Sequence, residues 1–295
     1  MPDKTIGNPL SWSAQRLARM GHGLGEAVEG IGSHELTRPV VNRIGLGDIR
    51  AAIRKGVEDF AALRSDVIMA VALYPVIGFV LAVWAFNAGQ PHLLFPLVSG
   101  FPLVGPVAAV GLYEMSRRRE AGEEADWRAA LSALTGQVLG PVISLAVLLV
   151  VIFVVWLFAA HTIWAASLGP EPYDSIRAFI GDTLTTSAGW AMILVGMGVG
   201  FVFAAVVLCI SLVSFPMLID RPVGVPVALA TSLAVVRRNP GAAALWGLIV
   251  AVSLMLGMIP FFAGLIVVLP ILGHATWHLY RRAVSWSDRA TELEV

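Results

Sequence analysis

Two imidazoles four residues apart, His274 and His278, are the groups in this sequence best spaced for chemistry. On a helix they share one face, from which a pair of ring nitrogens reaches one metal ion or one haem edge. The metalloprotease pattern is absent, because Ala275 stands where the catalytic Glu belongs. A haem-copper centre needs more histidines inside the membrane, and His92 and His161 are expected at the outer surface, out of reach of His274. The competing reading sets both rings near the inner membrane interface with Trp277 and Tyr280, bonded to helix ends or lipid headgroups.

Glu114, beside Tyr113, is the second candidate, since an ionisable group near membrane depth marks function by default. If helix ends meet, it pairs with His278 or Arg281; the alternative is an interfacial ion pair with Arg117 and Arg118, one turn away. Tyr113, Glu114, His274, His278 and Tyr280 together form the candidate polar cluster. Asp220 with Arg221, and Arg64 with Asp66, read as juxtamembrane anchoring pairs. Gly136 and Gly140, like Gly196 and Gly200, are small residues four apart, the pattern of close helix packing. The glycine runs at 196–200 and 21–25 lack the preceding strand or the lysine of a phosphate loop. Cys209, the single cysteine, lies in an apolar run and reads as an inert buried thiol. Without a nucleophile elbow, paired intramembrane carboxylates or a complete metal set, an enzyme is the weakest reading. No cofactor is expected; haem or a metal on His274 and His278 is the alternative.

The elements that must position these residues are membrane helices. At 57% hydrophobic and 14% charged, the 295-residue chain has more apolar surface than a soluble core of this size hides. Six windows are long enough to span hydrocarbon: Val67 to Asn87, Leu93 to Met115, Val138 to Ala160, Ala188 to Ile219, Gly241 to Pro260, and Phe262 to Tyr280. The fourth exceeds a straight span, so it is tilted or one of its ends lies outside the core. Nine of the twenty Lys and Arg precede the first window, and with the amino terminus inside only Arg177 falls outside. Both termini are then cytoplasmic. The expected fold is an all-α, polytopic bundle of six transmembrane helices in three hairpins, each preceded by an amphipathic interfacial helix. Residues 1–45 form a polar tail, 46–283 the membrane domain and 284–295 a short second tail.

An internal threefold repeat fits this plan, with units of about 46–120, 121–220 and 221–283. Leu46, Ile49, Ile53, Val57 and Phe60 make an apolar stripe on the first surface helix. Asp126 caps a second, carrying Trp127, Leu131 and Leu134, and a third runs from Val227 to Arg238 before Asn239 and Pro240. The second span of each unit holds an apolar-Pro-apolar-apolar tetrad: Phe101 to Val104, Phe215 to Leu218, Leu269 to Leu272.

The run from Pro270 through Gly273, His274, Trp277, His278 and Tyr280 to Arg282 resembles the domain of unknown function 2189 family, predicted bacterial integral membrane proteins. So do Gly105-Pro106 with Gly111 to Glu114, and Phe215-Pro216 with Asp220-Arg221. The resemblance covers about residues 46–283 and implies a membrane fold at a bacterial inner membrane, without an established activity or cofactor. The residues favour a non-enzymatic interaction, scaffold or accessory protein. A transporter for a small polar or lipid-like solute is the alternative, drawn from the repeats and the prolines that break the spans. A respiratory-chain-associated haem or metal protein stands third. The lipid bilayer is the expected partner; a second copy or a membrane complex is left open, and nucleic acid is not expected.

Overall fold

Within lipid a backbone has no hydrogen-bond partner but itself, so apolar runs of this length must close into helices. The computed structural model describes residues 38–63, 73–87, 91–100, 105–132, 138–169, 173, 175–260 and 262–287. In chain order these form β1 (Arg38–Val41), α1 (Leu46–Ala62), α2 (Leu73–Asn87), α3 (Pro91–Gly100), α4 (Gly105–Ala108), α5 (Val110–Glu120) and α6 (Trp127–Ser132). Then come α7 (Leu139–Leu168), α8 (Ile176–Thr185), α9 (Ser187–Ser211), α10 (Ser214–Asp220), α11 (Val225–Arg238), α12 (Pro240–Met258), α13 (Leu265–Ala283) and β2 (Val284–Ser287).

Among the described residues three helices are long and apolar enough to cross a membrane: α7, the α9–α10 run and α12. The remaining expected windows hold α2, the broken series α3 to α5, and α13. With 30 residues, α7 runs on past Ala160 to Leu168. The outer loop expected from His161 to Ser187 is therefore mostly helix, two more turns of α7 followed by α8. Hydroxyls start its helices: Ser175 accepts from Ala178 N at 3.2 Å and Thr186 from Gly189 N at 2.9 Å. The overlong fourth window is broken rather than straight. At Leu212–Val213 the helix stops, and Ser232 of α11 accepts from Val213 N at 3.4 Å. Pro216 sits in the first turn of α10, where a missing N–H costs little.

Burial is graded along the spans. Phe201, Phe158 and Leu194 are 74%, 69% and 69% exposed, as lipid-facing side chains are, because apolar surface gains nothing by leaving hydrocarbon. The fully buried Trp277, Tyr280, Phe215, Leu112 and Met115 lie instead on α5, α10 and α13, around the polar end of the molecule.

Two features add to the expected plan. The all-α reading lacked an antiparallel ribbon: β1 pairs with β2, Arg38 opposite Ser287 and Val41 opposite Val284, which joins the segments on either side of the expected 46–283 domain. Asn42 N extends the tie by bonding Ala283 O at 2.8 Å. On α1, the protein-facing side is Ile49, Ala52, Gly56 and Asp59, turned away from the centre of the Leu46, Ile49, Ile53, Val57, Phe60 stripe. At 3.6 residues per turn that is a rotation of about 80°. Small side chains let α1 lie close on α13, and Leu46 and Val57 are left 62% and 44% exposed. Gly136, Leu134, the Phe101–Val104 tetrad and the Arg64, Asp66 pair lie outside the described residues.

Candidate functional site

A Cβ on Gly56 would stand 2.7 Å from both Ile271 O and Ala275 N, so α1 and α13 touch backbone to backbone at this point. Asp59, one turn along α1, is thereby laid against the histidine face of α13. From the other side, a Cβ on Gly273 would meet Leu112 at 2.5 Å, and that contact brings Ser116, one turn along α5, to His274. Three helices thus converge on one carboxylate.

Asp59 Oδ2 accepts from Ser116 Oγ at 2.7 Å and faces His278 Nε2 at 2.8 Å, while Arg119 Nε lies 3.3 Å from Oδ1. Ser116 Oγ also lies 2.7 Å from His274 Nδ1. A serine has one proton to give; with it committed to Asp59, the hydroxyl accepts from His274 Nδ1–H. His274 Nε2 has no hydrogen-bond partner among the described residues, and the ring is fully buried. Burial raises the pKa of Asp59, but the bonds from His278 and Ser116 and the histidine charges outweigh it, and the carboxyl titrates below its ordinary value.

This arrangement ties helices together. A nucleophilic serine needs the imidazole between it and the carboxylate and needs access to substrate; Ser116 contacts Asp59 directly and is fully buried. Among the described residues no three His, Cys, Asp or Glu side chains are grouped to hold a metal. His278 Nε2 and His274 Nδ1 point into the protein network.

The expected polar cluster divides into separate pairs. Glu114 reaches neither His278 nor Arg281: Arg117 donates to both its oxygens, at 2.7 and 2.8 Å, and Arg118 to one at 2.8 Å. All three lie on α5, where spacings of three and four make them neighbours, and the cluster expectation gives way to the ion-pair alternative. Tyr113 is buried in the main core. Tyr280 donates instead to Asp220 at 2.6 Å, and Arg281 bridges Asp220 and Glu120, each at 3.4 Å. Trp277 Nε1 donates to Glu120 at 3.0 Å, which closes a belt across the ends of α5, α10 and α13. At the other end of α7, His92 and His161 meet, Nε2 to Nδ1 at 3.1 Å, with His92 stacked 3.5 Å over Trp164.

Comparison with known families finds a similarity over the middle of the chain. Residues 94–220 match the DUF2189 family, described as predicted integral membrane protein. No curated protein and no solved structure matches the chain. The DUF2189 segment is narrower than the resemblance read from the sequence: it holds Glu114, Ser116, Glu120 and Asp220 but not Asp59, His274 or His278.

Within the DUF2189 segment the glycine faces are uneven. A Cβ on Gly200 would meet Trp156 of α7 at 3.1 Å, whereas Gly196 has nothing within 4 Å, so packing is confined to one end of that run. Gly140 is buried on α7. Sequence reasoning missed Asp59, Ser116 and Arg119. The available signal was a carboxylate continuing the face of small residues Ala52 and Gly56, where a solvated acid has no place.

Proposed function

We propose that this integral membrane protein is a non-enzymatic scaffold or accessory component of a bacterial inner membrane, with six spans and both termini cytoplasmic. The observation that carries this is the Asp59 network: its carboxylate, two histidines, serine and arginine are spent on joining α1, α5 and α13, with no side chain presented to a substrate. Glu114, Glu120 and Asp220 are likewise paired within the bundle end. Against transport stands the contact of Gly273 with Leu112, which closes α13 onto α5 where a solute path between the first and third units would run.

Packing supports the three pseudo-repeats. Each surface helix rests on the closing helix of the unit before it: α6 on α5, α11 on α10, and α1 on α13, which closes the circle. Purification in mild detergent with an optical spectrum and elemental analysis tests the reading. A colourless protein without stoichiometric metal is expected; haem or metal that is lost in the His274→Ala, His278→Ala double variant overturns it. Proteoliposomes that pass a proton or solute current abolished by Asp59→Asn would overturn it in favour of transport.

A further inference from the structure

Along β1, alternation puts Pro39 and Val41 on one face, and along α11 helical spacing puts Pro226, Val227, Ala230 and Ala234 on one side. Between these two faces runs an open apolar groove of about 440 Å³. One end of it is basic by construction. Asn239 accepts from Ile44 N at 2.9 Å and donates to Asn42 O at 3.0 Å, which holds Arg43 beside the end of α11, where Arg237 and Arg238 occupy the last turn. All three arginines are exposed, and none has an acidic partner among the described residues. The carbonyl end of a helix carries about half a negative charge, too little to neutralise three cations.

An apolar trough leading to unpaired guanidinium groups matches an amphiphile with a hydrocarbon chain and an anionic head. We infer that the groove between β1 and α11 binds one anionic phospholipid, an acyl chain along Val41, Val227 and Ala230 and the phosphate at Arg43, Arg237 and Arg238. The inference rests on the membrane reading above, since α11 immediately precedes the crossing helix α12 and so lies at headgroup depth. Guanidinium groups bind phosphate oxygens in pairs, and a headgroup with net negative charge is favoured there over a zwitterionic one.

The test uses the full chain in mild detergent, titrated with phosphatidylglycerol, phosphatidylcholine or inorganic phosphate, with bound lipid read by native mass spectrometry. Phosphatidylglycerol is expected to bind at least tenfold tighter than phosphatidylcholine, and inorganic phosphate not to compete. At about 1 kcal/mol per surface cation, the Arg43→Gln, Arg237→Gln, Arg238→Gln variant should bind phosphatidylglycerol roughly a hundredfold more weakly. Ala230→Phe, an exposed change that fills the groove, should weaken both lipids with all arginines intact. Unchanged phosphatidylglycerol binding in either variant overturns the site, and so does competition by phosphate alone, which would make it a soluble-anion site. Retention of the chain in membranes through an alkaline wash reports on the membrane reading separately.

Discussion

At Asp59 three donors share one carboxylate, and removing it strips the buried Ser116 and His278 of that acceptor, while Arg119 keeps Glu58 O at 3.2 Å. Breaking a buried charged pair from one side costs about 3–5 kcal/mol, whereas exposed pairs are worth less than about 1. Asp59→Ala is therefore expected to lower stability by about 3 kcal/mol in detergent unfolding followed by circular dichroism. Glu58→Ala, next to it, should change stability by less than about 0.5 kcal/mol, because the Glu58 and Arg54 side chains are 58% and 74% exposed. Equal losses would refute the network. The acid response follows from the same geometry. A carboxyl held below its ordinary value of 3.8 contributes fully above that value and loses its contribution as pH falls through the folded one. The stability gap between the wild type and Asp59→Asn should thus persist down to about that pH and close below it; a gap that closes near neutrality would contradict the account. The histidine pair was legible in the sequence because its spacing is local. Asp59 was not, since it meets His278 across 219 residues and no local pattern encodes that distance.

Between elements, contact is set by where side chains are smallest. Gly56→Ala places a methyl against backbone atoms of α13 that have no freedom to move, so α1 must lift away and the Asp59 bonds lengthen. A loss of about 2 kcal/mol is expected, by the same unfolding measurement. Gly47→Ala in the same helix meets nothing within 4 Å and should instead leave stability unchanged or raise it by a few tenths of a kcal/mol through helix propensity. A penalty at Gly47 as large as at Gly56 would sink the close-packing explanation. Hydrophobic periodicity located α1 and its apolar stripe but not the face of small residues that packs on α13. In water the stripe and the buried face coincide; at a membrane interface Leu46 and Val57 have lipid to face, and the protein-side contact goes to Ala52 and Gly56. The break at Leu212–Val213 and helix α8 were missed for a related reason. Hydropathy reads a continuous apolar run as one span, and the partner that meets the freed Val213 N–H, Ser232, lies on another helix.

Across the whole molecule the apolar belt and the polar end divide the work. The belt fixes the protein in lipid, and the end supplies the specific contacts that hold helices in register. An arginine in place of Phe201, 74% exposed in the middle of α9, should cost about 2.5–3.5 kcal/mol of insertion and deplete the membrane-integrated protein; a soluble fold would accept it freely. That the chain is a membrane bundle was plain from composition. The ribbon that joins its two ends was not, because two four-residue strands carry too little pattern to stand out. The arrangement as six spans with both ends inside depends on the distribution of arginine, and it is open to direct measurement. A reporter active only in the periplasm should work when fused after Gly169 and stay silent after Gly122 and after Val295. Activity after Val295 would mean an odd number of crossings and would contradict the account.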